Sequence, residues 1–104
     1  MTRKALPIAL AAAALAAHGV EMHQIIQKKR AFSQTEISVA VGDVVRFTND
    51  DEFIHQVYVS SDSFNFDTAE SEPGNNIDMK FTTRGNFEVH CHIHPKMQLI
   101  VHVQ

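Results

Sequence analysis

The stretch NFEVHCHIHPKMQLIVHV, residues 86–103, reads as two strands joined by a short loop. Apolar and polar residues alternate through "NFEVHC" and again through "MQLIVHV", with Gly85 ahead of the first run and Pro95 in the loop between them. Neighbouring residues of a strand face opposite sides, so Phe87, Val89 and Cys91 share one face and Glu88 and His90 the other. The apolar face must be the buried one. By the same parity Met97 goes inward with Leu99, Val101 and Val103. His94, in the loop, is free of this rule and can approach the inward side chains while still reaching solvent.

The same alternation recurs upstream. Val39, Val41, Val45 and Phe47 flank the turn residues Gly42 and Asp43, and "HQVYVSS" and "NIDMKFTT" alternate in turn. His55 then shares a face with Val57 and Val59. "SSDSFNFDTAESEPGNN", residues 60–76, is rich in turn formers and acids and reads as a long irregular connection. About seven short strands with no helical period predict an all-β fold, a Greek-key β-sandwich.

With 104 residues, 44% of them hydrophobic and 20% charged, the chain has room for one small domain. Arg3 and Lys4 precede an apolar run from Ala5 to Ala17, and Ala14-Leu15-Ala16 offers a small-x-small cleavage pattern. Residues 1–16 are therefore expected to be a signal peptide and 17–104 the mature domain, exported to the periplasm. The run is shorter than the roughly 20 residues of a membrane-spanning helix. Loss of the two basic residues takes the formal net charge from −3 to about −5, a balance that argues against nucleic acid as a partner.

Export favours disulfides, yet the chain has a single cysteine, which cannot bridge internally. Cys91 is thus a buried thiol, half of an intermolecular disulfide, a nucleophile or a metal ligand. Its neighbours bear on the choice. Alone, an inward Met97 is core filler and an inward His55 a hydrogen-bonded core residue. Together, His55, Cys91, His94 and Met97 are the donor set of an electron-transfer copper site, two imidazoles and a thiolate in a plane with a weak axial thioether. Imidazole suits Cu(II) and the soft sulfurs suit Cu(I), so one cage can hold both states with little rearrangement. His23, His90 and His102 fall on outward parity and read as surface residues, and His18 would lie beside the mature N-terminus.

His55 after "TNDDEFI", followed by "GNFEVHCHIHPKM" with its Cys-x2-His-x2-Met spacing, resembles the cupredoxins, and the short loop is similar to that of the amicyanin group. The resemblance runs from about Ala31 to Val103. It implies an eight-stranded Greek-key sandwich, a single type 1 copper and one-electron transfer between redox proteins. Two positions depart from the family: Gln56 stands where Asn usually follows the first histidine, and His92 where a hydroxyl residue follows the cysteine. A side-chain tie from Gln56 to His92 is the expected replacement.

The resulting expectation is a monomeric electron carrier, not an enzyme, whose partners are c-type cytochromes or a periplasmic dehydrogenase. The surplus histidines support an alternative, a protein of copper storage, delivery or resistance. A cysteine–histidine enzyme using Cys91 and His94 finds little support, because an inward cysteine in so small a domain has no evident cleft. Zinc could compete for the same donors. Asp50, Asp51 and Glu52 are candidates for a patch that steers a basic partner. Ile93, Pro95, Phe53 and Ile54 are candidates for an apolar docking surface around His94.

Overall fold

The computed structural model describes residues 19–104, so the expected signal peptide over residues 1–16, and His18, lie outside the described residues. Among the described residues nine strands follow one another: β1 (Met22–Lys28), β2 (Ala31–Phe32), β3 (Glu36–Val39), β4 (Val44–Asn49), β5 (Val57–Val59), β6 (Phe66–Asp67), β7 (Asn76–Lys80), β8 (Gly85–Cys91) and β9 (Gln98–Val103). They form two sheets in the orders β2-β1-β4-β7 and β3-β9-β8-β5-β6. The all-β sandwich expected from the alternation is the observed fold. The count exceeds seven to eight because β2 and β6 are two-residue pairings too short to leave a pattern.

Clean alternation becomes burial. β9 buries Leu99, Val101 and Val103, β8 buries Phe87, Val89 and Cys91, and β4 buries Val45, Phe47 and Asn49. Between the sheets Phe64 packs against Phe81 and Phe87, with ring centroids 5.1 and 5.3 Å away. Phe64 comes from the stretch read as an irregular connection. That stretch holds β6, plants this ring in the core and bridges His55 through Ser71, so it is anchored along its length.

β1 carries no simple alternation. It buries Ile25 and Gln27 and turns Ile26 partly outward, so its inward row contains an amide. It runs parallel to β4, Ile25 opposite Phe47 and Gln27 opposite Asn49. The β1–β2 hairpin closes through Lys29 and Arg30, at φ 54° and 56°. This is the left-handed region that a tight two-residue turn demands and that non-glycine residues occupy at a cost.

Three registers converge on one end of the sandwich. Val57 of β5 faces Cys91 of β8, the β8–β9 ladder ends at His90 opposite Gln98, and His55 forms an isolated bridge with Ser71. The ends of β5 and β8 and the loop between β8 and β9 are thereby brought together.

Candidate metal centre

Antiparallel pairing of Val57 with Cys91 sets His55, two residues upstream and of the same parity, just beyond the sulfur. His55 is fully buried and Cys91 nearly so. The loop carries His94 back over them, and Met97 N donates to His94 O at 3.0 Å to close the turn. The three donors form a triangle: Cys91 Sγ to His55 Nδ1 is 3.7 Å, Cys91 Sγ to His94 Nδ1 is 3.8 Å, and the two Nδ1 atoms are 3.2 Å apart. Among the described residues this is the one cluster of His, Cys, Asp and Glu with metal-binding geometry. Those separations are what three ligands show when they share one ion at bond lengths of roughly 2.0–2.3 Å. The donor set, two imidazoles and a sulfur, therefore fits a copper ion. Met97 is buried at the foot of the loop, as its parity predicts.

The surroundings hold the donors in place. His55 Nε2 lies 3.0 Å from Asp51 Oδ2, and the side chain of Asp51 is only 4% exposed. Asp51 also accepts the amides of Arg30 at 2.7 Å and Glu52 at 2.9 Å. Burial alone would raise the pKa of this carboxyl; the Arg30 amide, the His55 ring and the Glu52 amide overcome it and hold Asp51 below the usual carboxylate range. An ionised carboxylate is an acceptor only, so His55 Nε2 is the donor and Nδ1 of the neutral ring keeps its lone pair for a metal. Asn49 braces the same loop, its Nδ2 donating to Phe53 O and Ser71 O while its Oδ1 accepts the Asp51 amide. The amide of Gln56 points at Cys91 Sγ from 3.4 Å, a contact that stabilises charge on the sulfur.

His94 is partly exposed, and burial first, then the neighbouring His55 and the Arg30 guanidinium, push its pKa down from that of a free imidazole. Its ring stands edge-on to Phe53 at 6.0 Å.

Two expectations need correction. Gln56 and His92 do not tie to each other through their side chains. Gln56 Nε2 donates to Thr68 O at 3.0 Å; His92 stacks on Tyr58 at 3.8 Å and turns Nε2 to the Asp67 carboxylate, 3.2 Å away. The link between the two ligand segments is main chain, His92 N to Gln56 O at 2.9 Å. The acidic run 50–52 is no single patch either, because Asp51 turns inward to His55 and Asp50 faces Lys28 at 3.5 Å.

His23, His90 and His102 do sit at outward, partly exposed positions, and each has a carboxylate partner: Asp43, Glu88 and Glu36. Sequence reading missed Asn49, Arg30 and Ser71 and took Asp51 for a surface acid. For Asp51 one signal exists, the four-residue spacing to His55, but it has meaning only once His55 is known to need an acceptor.

The chain matches the family described as copper binding proteins, plastocyanin/azurin family, over residues 20–104. No curated protein matches it in sequence. Among solved structures it is similar to a copper-containing nitrite reductase from Thermus scotoductus SA-01, with 25% identity and a TM-score of 0.72 over 79% of this chain. It spans only 22% of that enzyme. It is also similar to a purple cupredoxin from Nitrosopumilus maritimus, at 22% identity and TM-score 0.70, covering 79% of this chain and 99% of that one. A Cu(I) amicyanin variant gives 24% identity and TM-score 0.73 over 88% of this chain and 89% of the other.

Proposed function

The chain belongs to the plastocyanin/azurin family of copper-binding proteins, with copper as its cofactor, and we propose that it is a diffusible one-electron carrier of the periplasm. In this reading His55 Nδ1, Cys91 Sγ and His94 Nδ1 hold a single copper, and the Met97 thioether is a weak fourth ligand. The observation that carries it is the convergence of those three donor atoms within 4.8 Å of one another. Bound copper supplies the Cu(I)/Cu(II) couple. The protein supplies rigidity: His55 is locked by Asp51, Cys91 by the β5–β8 register, and His94 by the turn that Met97 N closes.

Electrons leave through His94, the one proposed ligand that is not buried. Its ring edge is flanked by Ile93 and Pro95, with Phe53 beside it, and Phe53, Ile54 and Ile93 are all exposed apolar side chains. A transient redox complex needs a small apolar contact of this kind. Partners are redox proteins, c-type cytochromes or a periplasmic dehydrogenase, met by a monomer that residues 1–16 direct to export. The carrier reading is favoured over copper storage because, among the described residues, His55, Cys91 and His94 are the one cluster with metal-binding geometry, and the surplus histidines join no second one.

The test is the visible spectrum of the copper-loaded protein with a redox titration. A strong sulfur-to-copper band and reversible one-electron cycling are expected, and Cys91→Ala should lose the band while keeping the β-sheet circular dichroism. A band that survives in Cys91→Ala, or copper that leaves to a chelator faster than it cycles, would overturn the reading.

A further inference from the structure

The hollow beside His94 is lined by Arg30, Ile93, Pro95 and Lys96, and both charged residues there are cations. The Arg30 guanidinium lies 4.7 Å from the centroid of the Phe53 ring, which in turn stands edge-on to His94, so cation, aromatic ring and imidazole follow one another at the surface. Arg30 is also held from behind. Its amide is bonded to Asp51 and its backbone sits in the left-handed turn at φ 56°. Such conformations persist where the surrounding structure determines them, commonly at functional sites. A side chain launched from a fixed backbone and resting on a ring loses less freedom when a partner docks.

The acids of the adjoining segment do not cancel these charges. Asp51 is turned inward with its side chain 4% exposed and is no part of the rim, and Asp50 faces Lys28. Glu52 is exposed, the remaining carboxylate of that run. The chain as a whole is negative, at −3. The exit surface thus carries the opposite sign from the molecule.

We propose that this surface selects an acidic redox protein, one whose own apolar contact is rimmed by carboxylates that meet Arg30 and Lys96. The inference rests on the reading that electrons leave at His94, and it reverses the expectation of a basic partner drawn from the 50–52 acids. Complementary rims of this kind act mainly on encounter rate and orientation.

Two small oxidants probe the sign at the exit: hexacyanoferrate(III), a trianion, and tris(phenanthroline)cobalt(III), a trication. In each reaction the Cu(I) protein gives one electron to the metal complex, yielding Cu(II) and either Fe(II) or Co(II). For the parent protein the hexacyanoferrate rate should fall as ionic strength rises from about 10 to 200 mM, the signature of attraction despite the negative net charge. Arg30→Glu combined with Lys96→Glu should slow that reaction about tenfold and speed the cobalt reaction, with the copper spectrum unchanged. The milder Arg30→Gln with Lys96→Gln, which adds no repulsion, should give a smaller change of the same sign.

Ile93→Glu separates the two readings. If it shifts both rates but the parent shows a repulsive salt dependence with hexacyanoferrate, or the rim variants match the parent, the acidic partner is refuted while the exit at His94 stands. If neither Ile93→Glu nor the rim variants move either rate, the exit itself lies elsewhere.

Discussion

β4 has a buried aspartate just beyond each end, and the two are built almost alike. Asp43 accepts the amides of Glu21 at 3.0 Å and Ala40 at 2.9 Å and lies 2.9 Å from His23 Nε2. Asp51 accepts the amides of Arg30 and Glu52 and lies 3.0 Å from His55 Nε2. Both side chains are 4% exposed. The difference is in what the histidine does with its other nitrogen. The His23 side chain is 27% exposed, and its ring belongs to a corner that joins β1, β3 and β4. The His55 side chain has no exposure, and its Nδ1 faces Cys91 and His94. A carboxylate–histidine pair is therefore a general clamp. It becomes part of a metal centre only where the fold sets further donors against the free ring nitrogen.

Removing one charge at a time separates the two clamps most directly. Asp51→Asn should weaken copper binding by about 10–100-fold, the usual penalty for losing a partner that orients a ligand histidine. It should also raise the reduction potential, because a negative charge next to His55 favours Cu(II) over Cu(I). Asp43→Asn should leave copper affinity and spectrum alone. Competition with a chelator and a redox titration of both variants measure this; equal losses from the two would mean that Asp51 acts only as a fold element.

Asp43 should instead show itself in acid. Burial would raise its pKa, but the His23 contact and the Glu21 and Ala40 amides override that and bring it from 3.8 down to about 2. A lowered folded-state pKa contributes stability that is present above the unfolded value and lost as pH falls through the folded one. The window is therefore about pH 4 down to 2, and the loss about 2 kcal/mol. Asp51, shifted in the same direction, adds to the loss in the same sense. The stability of the copper-free protein to urea should vary less steeply with pH across that window in Asp43→Asn, and an unchanged acid limb would count against the clamp.

How far the two ends can be read in sequence differs for physical reasons. The β8–loop–β9 segment is legible because its inward row is apolar without exception, so parity alone puts Cys91 and Met97 on the buried face that they occupy. His55 is legible by the same rule through Val57 and Val59. β1 is not, because Gln27 faces inward and Ile26 outward, and the mismatch erases the period on which a strand assignment depends. Asp51 is misjudged because three consecutive acids look solvated, and only the loop held by Asn49 turns the middle one inward. Arg30 arrives at the site through a hairpin whose Lys-Arg tip carries none of the usual turn residues.

The two ends also differ in their buried methionines. Met79 on β7 pairs with Val45, at the Asp43 end, and is fully buried in the core; Met97 is buried at the foot of the ligand loop. Either change to Leu conserves volume and should cost less than about 1.5 kcal/mol of folding stability. Met97→Leu should raise the reduction potential, since a weak axial thioether tunes the couple more than it retains the metal. Met79→Leu should not move it. Matching potentials for both variants and the parent would reduce Met97 to a packing residue.

The turns at the two ends differ by less. At the Asp43 end the left-handed position is given to Gly42, at φ 94°, which tolerates it freely. At the copper end Lys29 and Arg30 occupy that region without such freedom, and each side chain there is costly. Asn enters the left-handed region more readily than Lys. Lys29→Asn should therefore stabilise the fold by about 0.5 kcal/mol, read as a higher urea midpoint at constant slope. Because the Arg30 amide still reaches Asp51 from an unchanged turn, the copper spectrum and potential should stay as in the parent. A stabilised protein with a shifted potential would mean instead that the hairpin tip sets the geometry of His55 through Asp51, and that the strained turn is part of the metal centre.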